Sequence, residues 1–196
     1  MKQESRRVKM TKKMLCESLI YFLSQKDISH ITIKEICDYA DINRSTYYRY
    51  YQDPMDQLYK IQDDIIEELD LYVRKLEKNI NHSSQASFVD YEASMKEYLE
   101  CVQEKKKAIQ ILMKALPDNE FIIKFVEHIR NNLVILSLNS NGTTRFYDYV
   151  FASSGCIGLL VHWLTVEPEM SIEAVAQLMV TYTNIFIQEE PNTQIP

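Results

Sequence analysis

The sequence predicts an all-α fold of about nine helices. Apolar residues recur at three-to-four spacing through most of the chain. Only 3 glycines and 5 prolines interrupt 196 residues, and a hydrophobic fraction of 46% is ample for a buried core. In the first segment Met10, Met14, Leu15, Leu19, Phe22 and Leu23 keep the helical rhythm, giving a helix that ends near Gln25–Asp27. Thr32 then precedes a short helix to Ala40, with Glu35 at the third position after it, the spacing of a capping box. Residues 41–44, DINR, form a turn, after which Ser45 is expected to cap a second short helix through Tyr51. Asp53-Pro54 restarts the chain, because Asp caps and Pro suits the first helical position. A long helix follows from Met55 to about Lys78, and residues 79–85, NINHSSQ, read as a linker. Further helices are expected over 86–103, 104–115, 119–138, 145–166 and 171–188.

The net charge of −6 argues against nucleic acid when taken as one lump, since phosphate binding needs a positive surface. Its distribution reverses that for one end. Residues 1–60 hold 11 basic and 8 acidic groups, a balance of +3, and the remainder carries −9. Residues 1–13 alone reach +5, through Lys2, Arg6, Arg7, Lys9, Lys12 and Lys13 against Glu4. Such a basic arm suits phosphates or an adjacent minor groove; a solvated tail is the alternative.

Several classes are disfavoured. The glycines, at 142, 155 and 158, make no phosphate-cradling loop and no nucleophile elbow. Cys16, Cys37, Cys101 and Cys156 are too scattered for a C-x-x-C motif and read as small core residues in a reducing compartment. His30, His82, His128 and His162 lack paired carboxylates or thiols at ligand spacing, so neither metal nor cofactor is expected. No catalytic constellation emerges. The N-terminus is not a signal peptide, and the apolar stretch from Cys156 to Val166 is too short to span a bilayer. The expected location is cytoplasmic.

Residues 32–51, TIKEICDYADINRSTYYRYY, carry the specific function. Two short helices joined by a tight turn, anchored by Ile33, Ile36, Ala40, Ile42, Tyr47 and Tyr51, read as a helix-turn-helix. The second helix would expose Arg44, Ser45, Thr46, Tyr48, Arg49 and Tyr50, a mixture of guanidinium, hydroxyl and ring chemistry suited to base edges and phosphate oxygens. The plain alternative is a basic, aromatic edge of a core.

The stretch from Ile31 to Leu58 resembles the DNA-binding region of the TetR/AcrR family of transcriptional regulators, and FASSGCIGLLVHWL, residues 151–164, is similar to the penultimate helix of one subgroup. The resemblance implies a DNA-binding domain over 1–53 and an effector-binding and dimerisation domain over 54–196. It further implies a homodimer joined through the last two helices, binding a palindromic double-stranded DNA operator and acting as a repressor released by an effector. By alignment, Lys34, Arg44, Ser45 and Tyr48 fall where side chains reach bases, and Thr32, Thr46, Arg49 and Tyr50 where they meet phosphate or groove wall. Arg44, at the start of the recognition helix, is the expected guanine contact. Two positions depart from the family pattern: Asp41 stands where Gly is usual, and Pro54 where Lys is common, leaving Gln52 or the basic arm to compensate.

In the family the C-terminal bundle commonly encloses a ligand. Tyr91, Met95, Tyr98, Phe125, His128 and Trp163 are the candidates here for an unknown small-molecule effector; an aromatic stripe at helical spacing equally serves as core. Ala152, Ser153, Gly155 and Gly158 suit a close approach of helices, within one subunit or across a dimer. The competing reading is control through a protein partner of the acidic C-terminal part. No membrane partner is expected.

Overall fold

A computed structural model describes residues 5–81, 88–116, 120–127, 143–166 and 169–188. All the regular structure among them is helical: α1 (Arg6–Leu23), α2 (Ile33–Ala40), α3 (Arg44–Tyr47), α4 (Pro54–Asn81), α5 (Phe88–Glu104), α6 (Lys106–Ala115), α7 (120–127), α8 (Thr143–Thr165) and α9 (Ile172–Gln188), with a short 3-10 turn at Ile28–His30. The expected all-α class holds. No helix among the described residues is long and apolar enough to cross a membrane.

The chain packs as two compact units, residues 1–65 with 107–121 and residues 66–106 with 122–196. In the first, Leu15, Ser18, Leu19 and Ile20 form the buried stripe of α1, which lies against α2. Two polar bonds lock the register. The Ser18 hydroxyl donates to the Ile36 carbonyl at 2.9 Å, and the buried Gln57 amide of α4 donates to the Leu15 carbonyl at 2.8 Å. Both carbonyls belong to helices, so these side chains tie backbone to backbone where apolar contact alone would allow sliding. Ile36, Leu58, Ile109 and Leu112 complete this core, each side chain contributing about 1.5–3 kcal/mol by leaving water.

In the second unit α5 and α8 both pack on α9. Leu99, Val102, Leu160, Leu164, Val175, Ala176 and Val180 are buried there. The indole N–H of Trp163 donates to the Met170 carbonyl at 2.9 Å, fastening the end of α8 to the segment that opens α9. Lys105 reaches Glu68 at 2.8 Å. The four cysteines are free thiols; Cys37 and Cys101 are buried as core residues, while Cys16 and Cys156 are half-buried.

Five sequence expectations need correction. The basic groups from Arg6 onward are not an extended arm: Ser5 caps α1, its hydroxyl accepting from the Val8 amide, and Arg6 is already helical. The first helix ends at Leu23, short of Gln25, because Ser24 takes the cap and the 3-10 turn follows. α3 is capped by Asn43 rather than Ser45 and ends as an α-helix at Tyr47. α4 continues past Lys78 to Asn81, so the linker begins later than its composition suggested. α8 opens at Thr143, two residues before the expected 145, while residues 139–142 and most of the helix expected over 119–138 lie outside the described residues.

Candidate nucleic-acid interface

The interface begins with a capped helix. Thr32 accepts the Glu35 amide at 3.3 Å, while the Glu35 carboxylate receives the Thr32 amide at 2.9 Å and its hydroxyl at 2.8 Å, the reciprocal box that the Thr-x-x-Glu spacing foretold. Lys26 adds an ion pair to Glu35 at 2.7 Å. Lys26, together with the Thr32 amide and hydroxyl, holds the Glu35 carboxyl well below its usual 4.5, at about 2. Thr32, exposed, therefore has its hydroxyl proton committed to the cap, whatever its lone pairs meet outside.

At the other end of α2, Asp41 takes a left-handed conformation, φ 52° and ψ 45°. Its amide turns back to the Asp38 carbonyl at 3.4 Å and the next amide, of Ile42, to the Cys37 carbonyl at 3.0 Å, the paired bonds of a Schellman ending. Asp carries that conformation at a cost glycine would avoid, so the turn survives the departure from the family pattern. Asn43 then returns to extended backbone, and its side-chain oxygen accepts both the amide and the hydroxyl of Ser45 at 2.9 Å. Three residues thus reverse the chain between α2 and α3.

After Tyr47 the backbone tightens without straightening: Arg49 bonds back to Thr46 at 3.3 Å, Tyr50 to Tyr47 at 2.9 Å and Tyr51 to Tyr47 at 3.0 Å. Tyr47 and Tyr51 turn inward, 0% and 4% exposed, and their rings meet at 5.4 Å. Burial pushes the Tyr47 phenol far above its usual range, and its hydroxyl has no hydrogen-bond partner among the described residues. With those two anchors fixed, helical periodicity sends the intervening side chains outward. Lys34, Arg44, Ser45, Tyr48 and Arg49 are exposed, Tyr48 by 60%, and Thr46 and Tyr50 are half-buried. The arrangement presents two guanidinium groups, an ammonium and a phenol on a rigid two-helix frame, the chemistry that pairs with guanine edges and phosphate oxygens.

α4 starts as Asp53-Pro54 implied, with the Asp53 carboxylate accepting the Asp56 amide at 2.8 Å. Asp56 in turn accepts the Gln52 amide at 2.8 Å and the Lys60 ammonium at 2.9 Å. Lys26, Asn43, Asp56 and Lys60 are participants that the motif does not single out. Asn43 stood in the turn as a cap candidate equal to Ser45, and the Asp56–Lys60 spacing was visible as a helical ion pair.

Of the ligand candidates, Met95, Tyr98, Phe125 and Trp163 are buried in the second unit, between 3% and 6% exposed. His128 and the side chain of Tyr91 lie outside the described residues. The indole N–H of Trp163 is already spent on Met170. The Tyr98 hydroxyl is buried with no hydrogen-bond partner among the described residues, and burial drives its phenol far above the usual range. Among the described residues no group of His, Cys, Asp and Glu could hold a metal ion.

A capped helix, a left-handed three-residue turn and a second helix with outward arginines define a helix-turn-helix protein. Comparison with known proteins places it further. Residues 89–184 match a TetR-class family model described as Transcriptional regulator C-terminal region. Over 164 residues, 82% of the chain, the sequence is 24% identical to Uncharacterized HTH-type transcriptional regulator YxbF of Bacillus subtilis (strain 168), and spans 41% of that protein's length. Similar folds include a TetR transcriptional regulator from Streptococcus agalactiae 2603V, 19% identical with a TM-score of 0.57 over 91% of this chain and 96% of that one. The dihydroxyacetone kinase operon activator DhaS is 15% identical, with a TM-score of 0.60 over 90% and 94%. The fatty acid degradation regulator FadR from Bacillus halodurans is 11% identical, with a TM-score of 0.61 over 98% and 100%. Through its C-terminal half and its shared fold, the chain is similar to TetR-class transcriptional regulators.

Proposed function

We propose that this chain is a homodimeric repressor that binds a palindromic operator through α2 and α3 and is released by an effector held in the C-terminal unit. The observation that carries the DNA-binding part is the frame just described: buried Tyr47 and Tyr51 leave Arg44 exposed on the second helix of a capped helix-turn-helix, and Tyr48 and Arg49 exposed in the turn that follows it. Arg44, in the first turn, is assigned to a base edge, with Lys34, Ser45 and Tyr48 beside it; Thr32, Thr46, Arg49 and Tyr50 are assigned to phosphate or groove wall.

Dimerisation is supported by one face of α8. Tyr147 and Phe151 are 66% and 65% exposed, and Gly155 and Gly158 follow them at helical spacing. Among the described residues a Cβ added at either glycine meets nothing within 4 Å, an open approach that suits a second copy. The effector reading is supported by Tyr98, whose buried hydroxyl would gain a partner from an otherwise apolar ligand. A second reading, control by a protein partner, is supported by Leu71, Ile123 and Val166, apolar side chains of the second unit that are each more than half exposed.

Selection of bound duplexes from a random pool tests the proposal. The expected product is an inverted repeat whose half-sites lie about one helical turn, roughly 34 Å, apart or a multiple of it. Recovery of no common sequence would overturn the operator reading.

A further inference from the structure

The DNA-facing turn ends in a brace. Lys60, two turns into α4 from its cap, donates from Nζ to the Tyr50 carbonyl and to the Asp56 carboxylate, each at 2.9 Å, and sits 5.7 Å from the centre of the Tyr51 ring. Asp56 is fixed from two further directions, accepting the Gln52 amide through its carboxylate while its own amide donates to Asp53. The Lys60 ammonium and the Gln52 amide hold the Asp56 carboxyl below its ordinary range, so it stays charged in neutral solution. The result is a closed loop of bonds from the residue after Arg49, across residues 50–53, into the first two turns of α4.

We propose that Lys60 is a positioning residue for DNA recognition: it sets the backbone of Tyr50, and through it the aim of Arg49 and Tyr50, without touching DNA itself. The inference rests on the DNA-binding reading above. The residues it governs need the brace, because α3 ends at Tyr47 and Arg49 and Tyr50 are held by tighter turn bonds rather than by a continuing helix. A carbonyl at a helix's end lacks an intrahelical donor, and an ammonium that pairs with it, with a carboxylate and with a ring face has three geometric constraints for one flexible stem. Few of its three protons remain for phosphate. Recognition geometry tolerates errors of about half an ångström, so releasing this carbonyl degrades recognition before it degrades the fold.

The test uses the full chain, a duplex recovered by selection with the wild type and a scrambled duplex of equal length, over a series of salt concentrations. For Lys60→Met the expected result is about a five- to tenfold loss of affinity for the selected duplex, a smaller loss on the scrambled one, and an unchanged slope of log affinity against log salt. Lys60→Arg, which reaches both acceptors, should restore most of the loss. Uniform weakening on both duplexes with a slope shallower by close to one unit would make Lys60 a phosphate contact and overturn the proposal, as would unchanged affinity. If Lys60→Met does not fold, Lys60→Gln decides by the same criteria. Failure of the wild type to select any duplex would overturn the DNA-binding reading and the brace together, whereas a wild type that selects one beside an unaffected Lys60 variant overturns the brace alone.

Discussion

Glu35 concentrates three roles in one carboxylate: it closes the capping box, pairs with Lys26 and faces solvent at the edge of the DNA-binding frame. Because its folded pKa lies near 2 against an ordinary 4.5, the charged form is favoured by folding. That contribution is fully present above the unfolded value and is lost as pH falls through the folded one. A Glu35→Gln variant keeps a capping-box acceptor and loses the ion pair. The gap in unfolding midpoint between wild type and variant should therefore be constant above about pH 5 and close between pH 4.5 and pH 2; a gap that widens on acidification would contradict the assignment. The Thr-x-x-Glu half of this arrangement was legible from spacing alone. Lys26 was not, since it meets Glu35 across a turn whose path depends on how α1 ends and the 3-10 turn begins.

The same division holds for elements. Helix starts with two agreeing signals, such as Asp53-Pro54, were read correctly, because cap chemistry is local. α3 was misassigned by two residues since Asn43 and Ser45 are both good caps; the Schellman turn decides between them by delivering Asn43, not Ser45, in extended backbone. α1 shows a stronger conflict. Its first turn carries Arg6, Arg7 and Lys9 and no acidic residue, although the positive end of the helix dipole disfavours cations by about 0.3–1 kcal/mol each. A local rule broken three times at one helix end marks a place where function outweighs stability, and phosphate is the partner that would relieve it. Replacing all three by Gln should raise the unfolding midpoint slightly while lowering DNA affinity for all sequences and making its salt slope shallower by up to about three units. Unchanged affinity and slope would assign the basic turn to solvent.

On the scale of the whole molecule, the net charge of −6 masks an uneven distribution, +3 over residues 1–60 and −9 over residues 61–196. The fold class and the family likeness are legible because helical periodicity and the helix-turn-helix spacing are local signals. The candidate ligand residues are legible only as burial: Met95, Tyr98, Phe125 and Trp163 are all inside, and spacing does not separate a pocket lining from a packed core. The small residues of α8 are similarly ambiguous in the sequence; among the described residues the space around Gly155 and Gly158 is open, as the proposed dimer requires. Gly158→Tyr should accordingly leave the monomer folded and shift the sedimentation profile from dimer to monomer, with operator affinity falling alongside; an unfolded chain would return that glycine to the monomer's own packing.

Binding of the Arg44→Ala chain to the selected operator and to its single-base variants tests the central claim most directly. The account predicts a loss of about 1–3 kcal/mol and relaxed preference at one base pair in each half-site, against near-uniform weakening across sequences for Arg49→Ala. Unchanged affinity and unchanged base preference for both variants would contradict it.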